Sequence, residues 1–198
     1  MKKERDFLKT GLILVCLFFI IGLLVKTNFF SEIDKYVYNY FLGYQTPLGI
    51  SVMQGISLLA SPVFVILFIL VLLLSLLFVK TEVYKKYSVF ILLNIAVSFI
   101  LEEMFKFILK IARPLSPFET GYSFPSGHAV VSFALYGSLA LCFNKEKTTI
   151  YFLIIPLLIS LSRLFLGVHW LSDVLGGAVL GLSILLINKS ILKKYLSP

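Results

Sequence analysis

Six stretches of this 198-residue chain are apolar over about the length needed to cross a bilayer. A helical crossing takes roughly 20 mostly apolar residues. The runs fall at about 7–25, 59–79, 87–109, 126–143, 149–167 and 171–188. They predict an all-α polytopic membrane protein with six transmembrane helices and one domain over residues 1–198. The runs at 126–143 and 171–188 are short, which suits helices that begin inside a polar cavity. Composition agrees: 59% of residues are hydrophobic and 14% charged. A soluble domain carries about a quarter charged residues.

The first run has a basic start and the apolar core Gly11–Val25, followed by Lys26-Thr27-Asn28-Phe29 and no A-x-A-like cleavage site. It reads as an uncleaved anchor. The net charge of +8 would suit a polyanion partner, but its distribution speaks for a membrane. Lys2, Lys3, Arg5, Lys9, Lys80, Lys85, Lys86, Lys145, Lys147, Lys189, Lys193 and Lys194 share one side of a six-span chain, 12 of its 18 basic residues. The positive-inside rule makes that side, with both termini, cytoplasmic. No nucleic-acid partner is needed to explain the charge. Cys16 and Cys142 lie within apolar runs and read as buried small hydrophobes, without a disulfide.

Residues 28–57 connect the first two runs on the outer side. Within them Ile33, Val37, Tyr40, Phe41 and Tyr44 recur at helical spacing, and Tyr36, Tyr38, Tyr40 and Tyr44 suit the headgroup zone. This predicts a short interfacial helix between the first two spans. The outer loop Lys110–Pro125 is punctuated by Pro114, Pro117, Gly121 and Pro125. Gly177 and Gly181 in the last run form a G-x-x-x-G, read as a packing signal.

Ionisable residues cluster at the outer ends of the later runs: Glu102, Glu103, Lys106, Lys110, Arg113, His128, Arg163, His169 and Asp173. Such groups are costly in a bilayer and face cavities. Lys106 and Arg113 are two helical turns apart, and Arg offers a fork suited to phosphate oxygens. Ser126-Gly127-His128 opens the fourth run, where free N–H groups and the helix dipole attract an anion. His169 and Asp173 stand at i, i+4, with Gly167 providing a bend before them. A carboxylate there can fix the imidazole tautomer and free the other nitrogen to attack phosphorus. The alternative for this pair is a buried ion pair that pins two helices. Lys110 reads as snorkelling, and Glu102 and Glu103 as support for Lys106.

Three blocks carry a resemblance: Lys106 through Arg113-Pro114, Pro125-Ser126-Gly127-His128, and Ser162-Arg163 through His169 to Asp173. In order and spacing they resemble the type 2 phosphatidic acid phosphatase family, which shares its motif with vanadium haloperoxidases. The resemblance implies a metal-free, cofactor-free lipid phosphatase. His169 would form a phosphohistidine, His128 would protonate the leaving oxygen and then activate water, and Asp173 would orient His169. Lys106, Arg113, Ser126, Gly127 and Arg163 would hold the phosphoryl oxygens. The implied substrate is a membrane lipid phosphomonoester or diphosphate, undecaprenyl diphosphate first, phosphatidylglycerol phosphate or phosphatidate close behind. The site would face outward from the cell membrane. The competing readings are a vanadate-dependent haloperoxidase-like enzyme and a non-catalytic lipid-binding or transport protein. An intact His169, His128 and Asp173 set argues against the last.

Overall fold

A hydroxyl followed by proline sets the start of two helices in the first half of the chain. Thr46 accepts the Gly49 N–H at 3.0 Å ahead of Pro47, and Ser61 accepts the Phe64 N–H at 3.2 Å ahead of Pro62. Both are N-caps with proline at the first helical position. In the computed structural model, which describes residues 2–143 and 146–192, the helices are α1 (Lys2–Lys26), α2 (Ser31–Gly43), α3 (Pro47–Leu58), α4 (Pro62–Phe78), α5 (Glu82–Leu109), α6 (Gly127–Phe143), α7 (Glu146–Phe165) and α8 (Leu171–Ile191). The described residues include no sheet, only an isolated antiparallel bridge between Ala112 and Tyr122. Lys145, Lys193 and Lys194, counted above among the inner cations, lie outside the described residues.

Two apolar clusters hold the bundle. Phe18, Ile21 and Val25 of α1 meet Phe105, Phe124, Val130, Leu180 and Ile184. Val65 and Leu72 of α4 meet Ile91, Ile95, Val131, Leu135 and Ile159. The centre is α6, whose residues from Ala129 to Ser138 are all buried among its neighbours. Its small residues let α8 come close. A Cβ added at Gly177 would stand 2.7 Å from the Ser126 carbonyl oxygen and 2.8 Å from the Ala129 Cβ, so the G-x-x-x-G is a contact face. Between α5 and α8, the Asn188 amide donates to Asn94 Oδ1 at 3.0 Å. The outward faces are apolar instead: Phe78, Leu77 and Phe107 are each at least 70% exposed. Such a surface belongs in lipid.

Four segments are long and apolar enough to cross a membrane: Asp6–Lys26, Pro47–Phe78, Glu82–Leu109 and Leu171–Ile191. The expected fourth and fifth runs form the shorter apolar helices Gly127–Phe143 and Ile150–Phe165. The stretch 28–57 holds two helices where one was expected. Its second, α3, adjoins α4 across Leu59–Ser61, and the Tyr136 hydroxyl donates to the Leu59 carbonyl at 2.9 Å.

The inward face of α2 also differs from the predicted stripe. Val37 and Phe41 pack inward against Ala129, Leu164 and Val174, while Ile33, Tyr40 and Tyr44 are exposed. The reason is Asp34, which turns inward to accept the Ser172 N–H at 2.9 Å and its hydroxyl at 2.6 Å, at the start of α8. Cys16 is exposed on the outer face of α1 and Cys142 is half-buried, so the expected burial of both thiols is not met; both are free.

The α6–α8 contact generates a stability test. Gly177→Val should lower the unfolding temperature in detergent, by the equivalent of about 1–3 kcal/mol as for other overpacked interiors. Gly55→Ala, whose Cβ would meet nothing within 4 Å, should leave it unchanged. Equal effects would contradict this packing.

Candidate active site

Helix ends converge on one cavity. The C-terminal turn of α5 brings Lys106, the start of α6 brings Gly127 and His128, and the turn before α8 brings His169. With Arg113 of the loop they line a space of about 330 Å³. A second space of about 650 Å³ adjoins it, lined by Arg163 and by Ser57, Pro62 and Phe118; Pro62, Glu119 and His128 line both.

The turn between α7 and α8 depends on Gly167, which has φ +66° and lies where a Cβ would be 3.1 Å from the Tyr38 ring. Only glycine takes that backbone without cost. It sends the chain back so that His169 precedes the first residue of α8 by two. Asp173, in the first turn of α8, reaches back to accept the Trp170 N–H at 2.8 Å, the carboxylate half of a capping box. The same Oδ2 lies 3.3 Å from His169 Nδ1. On the other oxygen, Ser123 Oγ lies 3.2 Å from Oδ1. The Asp173 backbone carbonyl accepts the Ser126 N–H at 3.1 Å, which ties the start of α6 to the start of α8.

The tautomer of His169 follows from its other side. Arg113 Nη1 lies 2.9 Å from His169 Nε2. A guanidinium can only donate, so Nε2 accepts and the proton sits on Nδ1, towards Asp173. Nε2 thus keeps its lone pair on the cavity side. Burial, then the charges of Arg113, Arg163, Lys106 and His128, push the His169 imidazole well below its ordinary value of 6.5. A lowered pKa means that the neutral ring persists as the pH falls below that value. Burial also lowers the pKa of Arg113, against the opposing charges of Asp173 and Glu102.

The cations are each matched by an acid. Lys106 pairs with Glu102 and lies 3.7 Å from Glu103. Glu102 presses on α6: a Cβ at Gly127 would stand 2.5 Å from its Oε1, so a larger residue there would have to push the Glu102 carboxylate aside. Arg113 Nη1 lies 2.9 Å from Glu119 Oε2 and 2.8 Å from the Val168 carbonyl. Arg163 pairs with the other oxygen of Glu119 and donates to Ser57 Oγ. Two buried polar atoms are left without a partner at this site, Ser126 Oγ and Arg163 Nε. Lys110 turns away and stands over the Phe107 ring, 5.1 Å from its centroid, as expected for a residue outside the site.

The structure therefore brings together Lys106, Arg113, Gly127, His128, Arg163, His169 and Asp173, with Ser126 buried just behind. Sequence reasoning missed Glu119, Ser57 and Ser123. Ser57 lies on a helix it did not foresee. Glu119 was not singled out within the proline-punctuated outer loop. The signal that could have found it is the charge balance: three cations in an apolar bundle need acids, and Glu119 is the only acid of that loop.

Comparison with known proteins gives a concordant picture. The family model described as the PAP2 superfamily matches residues 57–195. Phosphatidylglycerophosphatase B of Bacillus subtilis is 28% identical over 186 residues, covering 87% of this chain and 89% of that protein. An undecaprenyl-diphosphatase of Sulfolobus acidocaldarius is 32% identical over 107 residues, and this chain spans about half (51%) of its length. The crystal structure of a transmembrane PAP2-type phosphatidylglycerolphosphate phosphatase from Bacillus subtilis superimposes with a TM-score of 0.83 at 27% identity, covering 93% of this chain and 96% of that one.

The tautomer can be read directly. In a His128→Gln protein with ¹⁵N-labelled histidine, the one remaining ring should be neutral at pH 6 and carry its proton on Nδ1. A titration midpoint at or above 6.5, or a proton on Nε2, would contradict the geometry.

Proposed function

This chain belongs to the PAP2 superfamily and is a lipid phosphatase of that type, and we propose that it hydrolyses its substrate through a phosphohistidine on His169. The observation that carries this reading is the Nε2 lone pair of His169, set beside Arg113 with Asp173 behind the ring. Nε2 attacks phosphorus while the Nδ1 proton stays hydrogen-bonded to Asp173, which stabilises the positive charge growing on the ring. Lys106, Arg113 and Arg163 take up the charge of the equatorial oxygens, with Ser126 and the N–H groups at Gly127 adding donors. His128, beside the same cavity, protonates the leaving oxygen and then takes a proton from the attacking water. No step calls for a metal, because the three cations supply the positive charge.

The lipid we favour is undecaprenyl diphosphate. Phosphatidylglycerol phosphate stands close, supported by the near full-length likeness to phosphatidylglycerophosphatase B, and phosphatidate follows. The cavity contacts read phosphate and not tail, so a side-by-side panel of these three lipids decides. On the best of them, His169→Ala should lower kcat by a factor on the order of 10⁴ or more, since loss of a covalent nucleophile leaves little to replace it. Quenching wild-type turnover of ³²P-labelled lipid into base should leave label on the protein, and none on His169→Ala. Near-normal turnover in a folded His169→Ala protein would exclude the mechanism.

Six spans, a cytoplasmic N-terminus and an outward-facing site complete the proposal, supported by the excess of basic residues on the opposite side. α2 is taken to lie at the membrane surface. In a Cys16→Ser/Cys142→Ser background, Leu115→Cys should react with an impermeant thiol reagent in intact cells, because Leu115 is 93% exposed in the outer loop. Glu82→Cys, at the start of α5, should react only after the membrane is opened. The reverse pattern would invert the orientation.

A further inference from the structure

Glu119 sits between the two arginines that the phosphatase reading assigns to phosphate. Its two carboxylate oxygens bridge the guanidiniums of Arg113 and Arg163, and Oε2 stands 3.9 Å from His169 Nε2. Both guanidiniums are buried, at 9% and 4% side-chain exposure. Two such cations side by side are costly without an anion between them.

The fit is incomplete in a telling way. Arg113 Nη1 has two protons for three acceptors, the Val168 carbonyl, His169 Nε2 and Glu119 Oε2. Meanwhile Ser126 Oγ and Arg163 Nε are buried with no partner. A planar carboxylate with two oxygens leaves these donors over; a tetrahedral anion has oxygens to reach them. Glu119 also differs from the two buried acids here. The Glu102 and Asp173 side chains are 5% and 0% exposed, but that of Glu119 is 27% exposed and lines both cavities. Its loop is anchored on either side, by Arg113 Nε to the Thr120 carbonyl at 3.1 Å and by the Tyr38 hydroxyl to the Leu115 carbonyl at 2.9 Å. A change of rotamer can therefore move the carboxylate towards the larger, open cavity without unfolding the loop.

We propose that Glu119 is an internal counter-anion that closes the arginine cradle while substrate is absent and that incoming phosphate must displace. The proposal rests on the phosphatase reading above. Glu119 thereby sets the phosphate affinity of the empty site: an intramolecular competitor weakens apparent binding by the fraction of time it leaves the cradle open. It also keeps the two arginines paired between turnovers.

The test uses orthovanadate as the phosphate-like probe on the purified full chain in detergent. Glu119→Gln, which keeps the shape and removes the charge, should bind vanadate at least about tenfold more tightly, as expected if the cradle is closed about nine-tenths of the time. Glu119→Asp, one methylene shorter and unable to bridge both arginines, should fall between the two. Unchanged or weaker binding in a variant with the wild-type unfolding temperature would make Glu119 a fixed structural clamp and overturn the proposal. If neither variant folds, a fluorophore on Leu115→Cys must respond to vanadate in an otherwise intact site, and its silence at saturating vanadate overturns the proposal equally. Failure of the wild-type protein to bind vanadate and to hydrolyse any lipid phosphate would remove the phosphatase reading itself. Normal hydrolysis with no tightening in Glu119→Gln would remove only the role of Glu119.

Discussion

The buried Asp173 carboxylate is the interaction on which the rest of the site depends. It caps α8 through the Trp170 N–H and faces Nδ1 of His169, while Ser123 Oγ approaches from the outer loop. Its own backbone carbonyl holds the start of α6 through the Ser126 N–H. One residue thus joins two helix starts and a loop and orients the histidine. A fully buried carboxylate is tolerated only where hydrogen bonds replace water, and the capping geometry supplies the first of them. The same need brings in α2, whose Asp34 accepts two hydrogen bonds from Ser172 in the first turn of α8.

Charge pairing is the second organising constraint. In an apolar bundle each buried cation needs an anion nearby. Glu102 serves Lys106 from the preceding turn of the same helix, and Glu119 serves Arg113 and Arg163 from the loop. The two solutions differ in permanence. An i, i+4 pair on one helix is held by the backbone, whereas a loop carboxylate beside an open cavity can leave. A site that must accept and release an anion needs the second kind.

Much of this was legible from the chain. The apolar runs located most of the long helices to within a few residues, and the ionisable residues at the outer ends of those runs named the cavity's lining. Lys106, Arg113, His128, Arg163 and His169 reach the two adjoining cavities because helix ends at one level of an antiparallel bundle must meet. The stretch 28–57 was read less well. Its hydrophobic pattern pointed to a stripe through Ile33 and Tyr44, but the inward face is centred on a charged residue, Asp34, whose partner is 138 positions away. No local periodicity contains that information. Likewise α3 carries the serine that meets Arg163, a contact 106 residues apart.

By itself the sequence determined the class of protein, the helices long enough for lipid, and the residue types gathered at one level of the bundle. Those follow from hydropathy and spacing, which act along the chain. The tertiary structure alone decided which nitrogen of His169 is unprotonated, that α6 is wrapped by its neighbours, and that Glu119 sits between the arginines. Each of these depends on groups brought close only by packing, where short distances and low dielectric make a donor, an acceptor or a counter-charge decisive.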